Sequence, residues 1–395
     1  MDTAYRKLHQ QTVLLVALSF VLGCNEFMIV GILSNIASDF NVNMTQVGFL
    51  VTIFALIYAI CTPIITALTS HFNKYTCLII LVIIFIFSNI LTGLATDFTI
   101  LLVARIIAAV VSGPIVSLAL AYSTVIAPMA KRSFVVSWIF SGFSIAAVFG
   151  VPLGTIISQV VGWRYVFYAI AVIACILILL IGKILPKWQP ESGRIRENQF
   201  KIMKDKRVLL GSFVIMFSAG GIYVFYTYLQ PFLTKVLGFE SRYLSGLLFI
   251  YGVMSLFSNQ LSGVIANRNG IKAMQKIYLA ELMVFLSLAW FMQIQFLATL
   301  IVFVIGLFMY LINSPIMIHF LKIAELEYPS SIVLASSLNS IFFNLGIFLG
   351  SGIGGVIVSN YGIRNIPLGS MFLIFITFLL VVGLNYAIKK RPYLN

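Results

Sequence analysis

Three ionisable side chains fall where such side chains are rare. Glu26 lies inside residues 12–33, a run of leucine, valine, isoleucine, phenylalanine and small residues. That run is long enough to cross a hydrocarbon core about 30 Å thick as a helix. Arg105 sits in a second run, after Leu102-Val-Ala, and Glu281 in a third, within Tyr278-Leu-Ala-Glu281-Leu-Met. A charge at such depth is costly unless it is paired, hydrated or neutralised. The chemistry it suits is proton carriage or cation binding; the alternative for each acid is a neutral, hydrogen-bonded structural group. Glu26 lies about 14 residues, or roughly 21 Å, along its span. Arg105 lies about 6 residues, or roughly 9 Å, from the far end of an antiparallel span. Their depths match, so an ion pair between the first and fourth spans would neutralise both and open when Glu26 takes a proton. A permanent pair that never titrates is the other reading. Glu281 has no cation near it in sequence, and is open as a second proton site or as a neutral packing acid.

Polar and aromatic residues in the same runs are candidates for a substrate cavity. Asn25, Asn313, Asn339 and Asn344 are cavity donors or interhelical hydrogen-bond partners. Tyr223 and Tyr226 follow Gly220-Gly221 and suit aromatic walls. Tyr228 and Pro231 suit an interface anchor and a helix end. Gly142, Gly150, Pro152 and Gly154 make the fifth span one of close approach and bending; ordinary glycine packing is the alternative. His319 reads as a packing residue. Cys24, Cys61, Cys77 and Cys175 lie in apolar runs without metal-ligand spacing.

The elements that must position these residues follow from composition. Of 395 residues 61% are hydrophobic and 9% charged, with mean hydropathy +1.08, whereas a soluble chain carries about 25% charged residues. This is an all-α integral membrane chain. Its net charge of +14 does not indicate nucleic acid, because the cations cluster between apolar runs as topology signals do. The first run is too long, and lacks a small-x-small site, for a cleavable signal peptide. Twelve spans are expected, at about 12–33, 46–69, 76–95, 99–127, 134–160, 164–184, 208–234, 243–266, 273–293, 297–321, 331–359 and 366–388. Most lysines and arginines fall on the side of the N-terminus, with Arg164, Lys235, Arg242 and Arg364 opposite. Both termini are therefore expected in the cytoplasm.

The longest polar break divides the chain into a six-helix bundle at 1–184, a basic linker at 185–207 and a second bundle at 208–395. The linker segment 194–204 is open as an amphipathic surface helix or a solvated loop. The halves repeat: Gly150, Gly154, Ile157, Gly162 and Arg164 meet Gly350, Gly354, Ile357, Gly362 and Arg364 at an offset of about 200, and Pro114 meets Pro315. Duplicated bundles place a substrate near the midplane between halves. No phosphate-binding GxxxxGK[ST] loop, HExxH or GxSxG motif occurs, so neither an ATP-driven pump in one chain nor these hydrolases are expected. Gly350-Ser-Gly-Ile-Gly354-Gly imitates a dinucleotide loop but lies inside a span.

Several stretches resemble the major facilitator superfamily, within it the twelve-helix drug:proton antiporter branch close to arabinose-efflux-permease and SotB-like sugar-efflux transporters. They are Asn25-Glu26-Phe-Met-Ile-Val-Gly31, Gly150-Val-Pro152-Leu-Gly154-Thr, Gly162-Trp-Arg164-Tyr-Val-Phe167, Tyr228-Leu-Gln-Pro231 and Ser336-Ser-Leu-Asn339-Ser-Ile-Phe-Phe343-Asn344-Leu-Gly346. The second resembles an antiporter motif. Leu102-Val-Ala-Arg105, leading to Gly113, resembles the fourth-helix motif whose arginine the family places in proton coupling, though without its usual glutamine-glycine pair. The loop Ser70-His-Phe-Asn-Lys-Tyr75 lacks the acid and most bases of the usual gating motif. Gly263-Val-Ile-Ala-Asn267-Arg268-Asn-Gly270 keeps part of it, which moves the gate to the second half.

The resemblance implies two pseudo-symmetric six-helix bundles and a monomeric, multi-pass protein of the cell membrane. Its partners are protons, lipid and a small-molecule substrate, and its energy source a proton gradient rather than a cofactor. Phe343 joins the substrate-contacting residues on this basis. The expected function is proton-coupled export of a small amphipathic compound such as a drug, metabolite or sugar derivative. Proton-linked or facilitative uptake of a nutrient is the alternative. A channel or receptor would need a continuous pore or a sizeable outer domain.

Overall fold

A computed structural model describes residues 2–69, 72–128, 131–187, 199–268, 270–328 and 331–392. Apolar runs in lipid must satisfy their own backbone groups, and here they do so as helices. The chain forms α1 (Asp2–Asp39), α2 (Met44–Thr69), α3 (Lys74–Gly93), α4 (Phe98–Ile126), α5 (Arg132–Ile145), α6 (Val151–Val160) and α7 (Trp163–Ile184). There follow α8 (Lys206–Tyr226), α9 (Leu229–Lys235), α10 (Leu244–Arg268), α11 (Gly270–Phe291), α12 (Gln295–Gly306), α13 (Asn313–Glu327), α14 (Ile332–Asn360) and α15 (Ile366–Lys390). No strand occurs among the described residues. Short polar side chains start several helices. Asn73 accepts from the N–H groups of Tyr75 and Thr76, and Asp97 from those of Thr99 and Ile100. Each satisfies donors that a first turn leaves open.

Among the described residues, eleven helices, some with an internal break, are long and apolar enough to cross a membrane. The expected tenth span departs from a single helix: α12 and α13 are separated by a turn at 307–312. Pro315 explains the break, since its ring would clash with the carbonyl of Leu311. The backbone groups released are met by α10. Ser258 Oγ accepts from the N–H of Tyr310, and Ser262 Oγ from that of Ser314, both at 2.9 Å. Pro231 likewise separates α8 from α9. Tyr228 at that junction is fully buried, against Gly354 and beside Gly48, so it is a packing residue and not an interface anchor. In the fifth span, a π-helical turn at Ala146–Gly150 precedes Pro152, shifting the hydrogen-bond register where the proline removes a donor.

The chain divides into two compact units, Met1–Val42 with Ile57–Ser192, and Asn43–Leu56 with Gly193–Asn395. In the first unit α1 packs on α5, α6 and α7, and α3 on α4 and α7. In the second, α8 lies between α14 and α15, with α11 against α15 and α12. The N-terminal part of α2 belongs to this second unit, where Thr52 and Ser351 hydroxyls meet at 2.8 Å and Thr45 Oγ1 donates to Gly355 O.

The duplicated glycines close each unit in the same way. A Cβ at Gly150 would meet Cys24 Sγ at 2.7 Å, and one at Gly154 would meet Met28. A Cβ at Gly350 would strike the Gly220 carbonyl, and one at Gly354 would lie 2.8 Å from Val224 O. Each fifth span is thus seated on the first span of its own half. Gly162 and Gly362 begin the sixth spans at φ +112° and +83°, a region open to glycine.

Candidate functional site

Unit 1 holds a polar chain at the level of Glu26. Arg105 on α4 is fully buried. Its Nη1 donates to the backbone O of Asn25 at 2.8 Å and to Asn25 Oδ1 at 3.1 Å. Asn25 Nδ2 donates to Asn89 Oδ1 at 2.7 Å, and Asn89 Nδ2 to the Phe85 carbonyl at 2.8 Å. Three helices, α4, α1 and α3, are joined by this relay.

The expected direct ion pair between Glu26 and Arg105 is not formed. None of the ion pairs among the described residues joins the two. Successive residues of a helix point about 100° apart, and Arg105 takes the Asn25 face. Glu26 is partly exposed beside it, within electrostatic reach of the guanidinium. Asn25 correspondingly departs from the role of cavity donor. It is 1% exposed, with its side chain committed to Arg105 and Asn89. Asn89 is a member of this relay that sequence reasoning missed, although an asparagine inside the apolar run 76–95 was the available signal.

The glycine-bearing fifth span pins α1 on both sides of Glu26. A Cβ at Gly142 would lie 2.6 Å from Val16 O, and one at Gly23 would lie 2.8 Å from Ala146. Thr155 Oγ1 donates to Gly31 O. Pro152 is buried at the start of α6. The residues expected to form the antiporter motif are therefore brought against the helix that carries the carboxylate.

Unit 2 gathers the expected aromatic residues and adds two. Tyr223 meets Tyr226 at 5.3 Å and Phe343 at 5.9 Å between ring centroids, both edge-on. Tyr226 stacks on Tyr251 at 5.5 Å, and Phe343 stacks on Tyr310 at 6.1 Å. Tyr251 and Tyr310 were not singled out from sequence, since a tyrosine in an apolar helix gives no local sign of which face it occupies. Asn313 follows Tyr310 by three residues and Asn339 precedes Phe343 by one turn. Each has a buried amide oxygen without a hydrogen-bond partner. Asn344 has such an oxygen too, while its Nδ2 donates to Ser340 O within α14. Glu281 is 1% exposed on α11.

The expected gating residues Asn267 and Arg268 are exposed at the end of α10, and Gly270 opens α11 at φ +49°. Ser70 and His71 of the first-half loop, and linker residues 188–198, lie outside the described residues. Residues 199–204 form a short 3-10 helix.

A second cluster was missed entirely. Arg207 Nη2 lies 2.7 Å from Asp205 Oδ2 and 2.6 Å from Glu327 Oε1, with all three side chains at most 3% exposed. Arg391 reaches the same acids at 3.4 Å and 2.7 Å. Arg207 Nη1 also donates to the Arg391 carbonyl at 3.2 Å, and His319 Nε2 lies 3.2 Å from the Arg207 carbonyl. Burial pushes the Asp205 carboxyl up. The hydrogen bonds from Arg207 and the charges of Arg207 and Arg391 outweigh it and hold the group below its ordinary value. These residues come from the starts and ends of three helices far apart in sequence, so no spacing announces them.

A duplicated helical membrane protein with buried polar clusters in each half has the architecture of a secondary transporter. The model of the Major Facilitator Superfamily matches residues 15–333, and the chain belongs to that superfamily. It is 32% identical over 346 residues to the uncharacterized MFS-type transporter YtbD of Bacillus subtilis, covering 87% of each chain. It is 26% identical to the inner membrane transport protein YdhP of Escherichia coli, covering 95% of each. Its fold is similar to that of a bacterial homologue of the lysosomal transporter Spinster, with TM-score 0.75 and 17% identity over 96% of this chain and 98% of that one. It is also similar to that of a D-xylose-proton symporter, with TM-score 0.76 and 16% identity over 94% and 97%. The protein is thus a multi-pass secondary transporter of small solutes, in a family that is not enzymatic.

Proposed function

We propose that this protein is a proton-coupled exporter of a small amphipathic organic compound. The observation that carries the reading is the arrangement around α1. A carboxylate, Glu26, stands next to an asparagine that holds a fully buried arginine, on a helix gripped by the glycines of the fifth span. When Glu26 is charged, its attraction to Arg105 tightens the α1–α4 contact; when it takes a proton, only the Asn25 bonds remain. Proton arrival therefore changes the cohesion of unit 1 without dismantling it. The substrate meets Tyr223, Tyr226 and Phe343 of unit 2, whose rings accept flat or apolar groups, and Asn313 and Asn339 supply acceptors for its polar groups. Asn267, Arg268 and Gly270 serve the gate. The chain works as a monomer in the cell membrane with both termini cytoplasmic and the proton gradient as its energy source.

The test begins with a thermal-shift screen of compound libraries on detergent-purified protein. The stabilising compounds are then assayed in proteoliposomes under an imposed pH gradient. Wild type moves the compound against its own gradient; Glu26→Gln still binds it but loses the response to pH. Undiminished pH-driven transport by Glu26→Gln would overturn the mechanism.

A further inference from the structure

The buried face of α11 is Ile271, Met274, Tyr278, Glu281, Phe285 and Leu288, a helical stripe turned into the protein. Glu281 is its one carboxyl. Oε1 of Glu281 is buried without a hydrogen-bond partner, and so is the hydroxyl of Tyr251 on α10. Tyr278, nearly one turn back on α11, donates its hydroxyl to Ser218 Oγ of α8 at 2.8 Å. Both tyrosines lie within electrostatic reach of the carboxyl.

Among the described residues no cation forms an ion pair with this acid. Lys272 and Lys276 of α11 are exposed, away from the buried stripe. Neighbouring α12 carries no ionisable residue, and α15 none before Tyr386 near its end. On α13 the ionisable residues are His319, Lys322, Glu325 and Glu327, of which His319 and Glu327 belong with the Arg207 cluster. Arg268 closes α10, and Lys206 and Arg207 begin α8, while Tyr226 of α8 stacks on Tyr251.

We infer that Glu281 is a proton-binding site internal to unit 2, separate from Glu26 and Arg105, with Tyr251 and Tyr278 as the hydroxyls that receive its charged form. A permanently neutral acid would be expected to donate its O–H to a buried acceptor, yet Glu281 makes no hydrogen bond among the described residues. Its unanswered oxygen and the unanswered Tyr251 hydroxyl are complementary once the proton has gone. On release the carboxyl O–H bond breaks, the electron pair stays on oxygen and the proton passes to water. Tyr251 then turns its O–H to the carboxylate at no loss of an existing bond, and Tyr278 exchanges Ser218 for Glu281. Use of this site in transport rests on the proton-coupled reading above; its titration does not.

The test is infrared difference spectroscopy of the purified full chain in lipid nanodiscs, titrated from about pH 5 to about pH 10. A carboxylic-acid carbonyl band is expected to vanish as pH rises, to be missing in Glu281→Gln and to persist in Glu26→Gln. Tyr251→Phe keeps the ring stack and displaces the midpoint of that band by about one pH unit. A carbonyl band that titrates unchanged in Glu281→Gln, or a Glu281 band that persists at every pH, overturns the proposal. Should Glu281→Gln not fold, an unmoved midpoint in Tyr251→Phe overturns it alone. Failure of the Glu26→Gln transport test would sink the export mechanism and leave this result standing.

Discussion

Arg105 is worth most to this protein for what it holds. Its guanidinium meets a backbone carbonyl and a side-chain oxygen of one residue, Asn25, and so fixes α4 to α1 at a chosen height. Asn25→Ala keeps the carbonyl bond and removes the other, together with the bridge to Asn89. The expected loss is about 1.5–3 kcal/mol, the range for a hydrogen bond to a charged group, read as a lower unfolding temperature in detergent. Arg105→Lys is not a conservative change here. Both bonds come from Nη1, and a lysine ammonium ends one bond shorter along the side chain, so Arg105→Lys should lose stability comparably to Asn25→Ala.

The helices are placed by small residues and by broken segments more than by large side chains. Gly142 lies so close to Val16 O that Gly142→Ala must push α1 away, at about 1–3 kcal/mol as for other overpacked contacts. Gly246, in α10, has open space where a Cβ would go. Gly246→Ala should therefore stabilise by about 0.4–1 kcal/mol through the unfolded chain. Opposite shifts of the melting temperature for two identical substitutions would check the packing directly. The interrupted tenth span makes a similar point. Ser258 is fully buried and serves the Tyr310 N–H. Ser258→Ala removes the hydroxyl that accepts from that N–H and should cost about 0.5–1.5 kcal/mol.

At the scale of the whole molecule, the Asp205, Arg207, Glu327 and Arg391 cluster ties the start of α8, the end of α13 and the residue after α15 within unit 2. Its two acids and two bases balance. Arg207→Ala leaves two buried carboxylates facing one largely exposed arginine, and should destabilise by about 3–5 kcal/mol. The folded value of Asp205 lies below its ordinary 3.8, so its contribution is present above that value and is lost as pH falls through the depressed one. Thermal unfolding scans should show this contribution level through neutral pH and declining only below about pH 4. In Asp205→Asn the acid-side decline should be shallower.

The sequence by itself determined that the chain spans a membrane many times, that it is built from two related halves, and that Glu26, Arg105 and Glu281 are ionisable groups within its apolar spans. Those facts follow from hydropathy, from a repeat at an offset of about 200 and from the cost of charge in lipid. Tertiary structure alone decided the partners. Adjacent residues Asn25 and Glu26 were equally available on paper, yet their helical directions differ, and the arginine could bond only one of them. The tyrosines of unit 2, the hydroxyls near Glu281 and the four-residue ionic cluster come from helices distant in sequence. Which face of each helix meets which neighbour is set by packing the whole chain, because an apolar span carries too weak a polar pattern to orient itself.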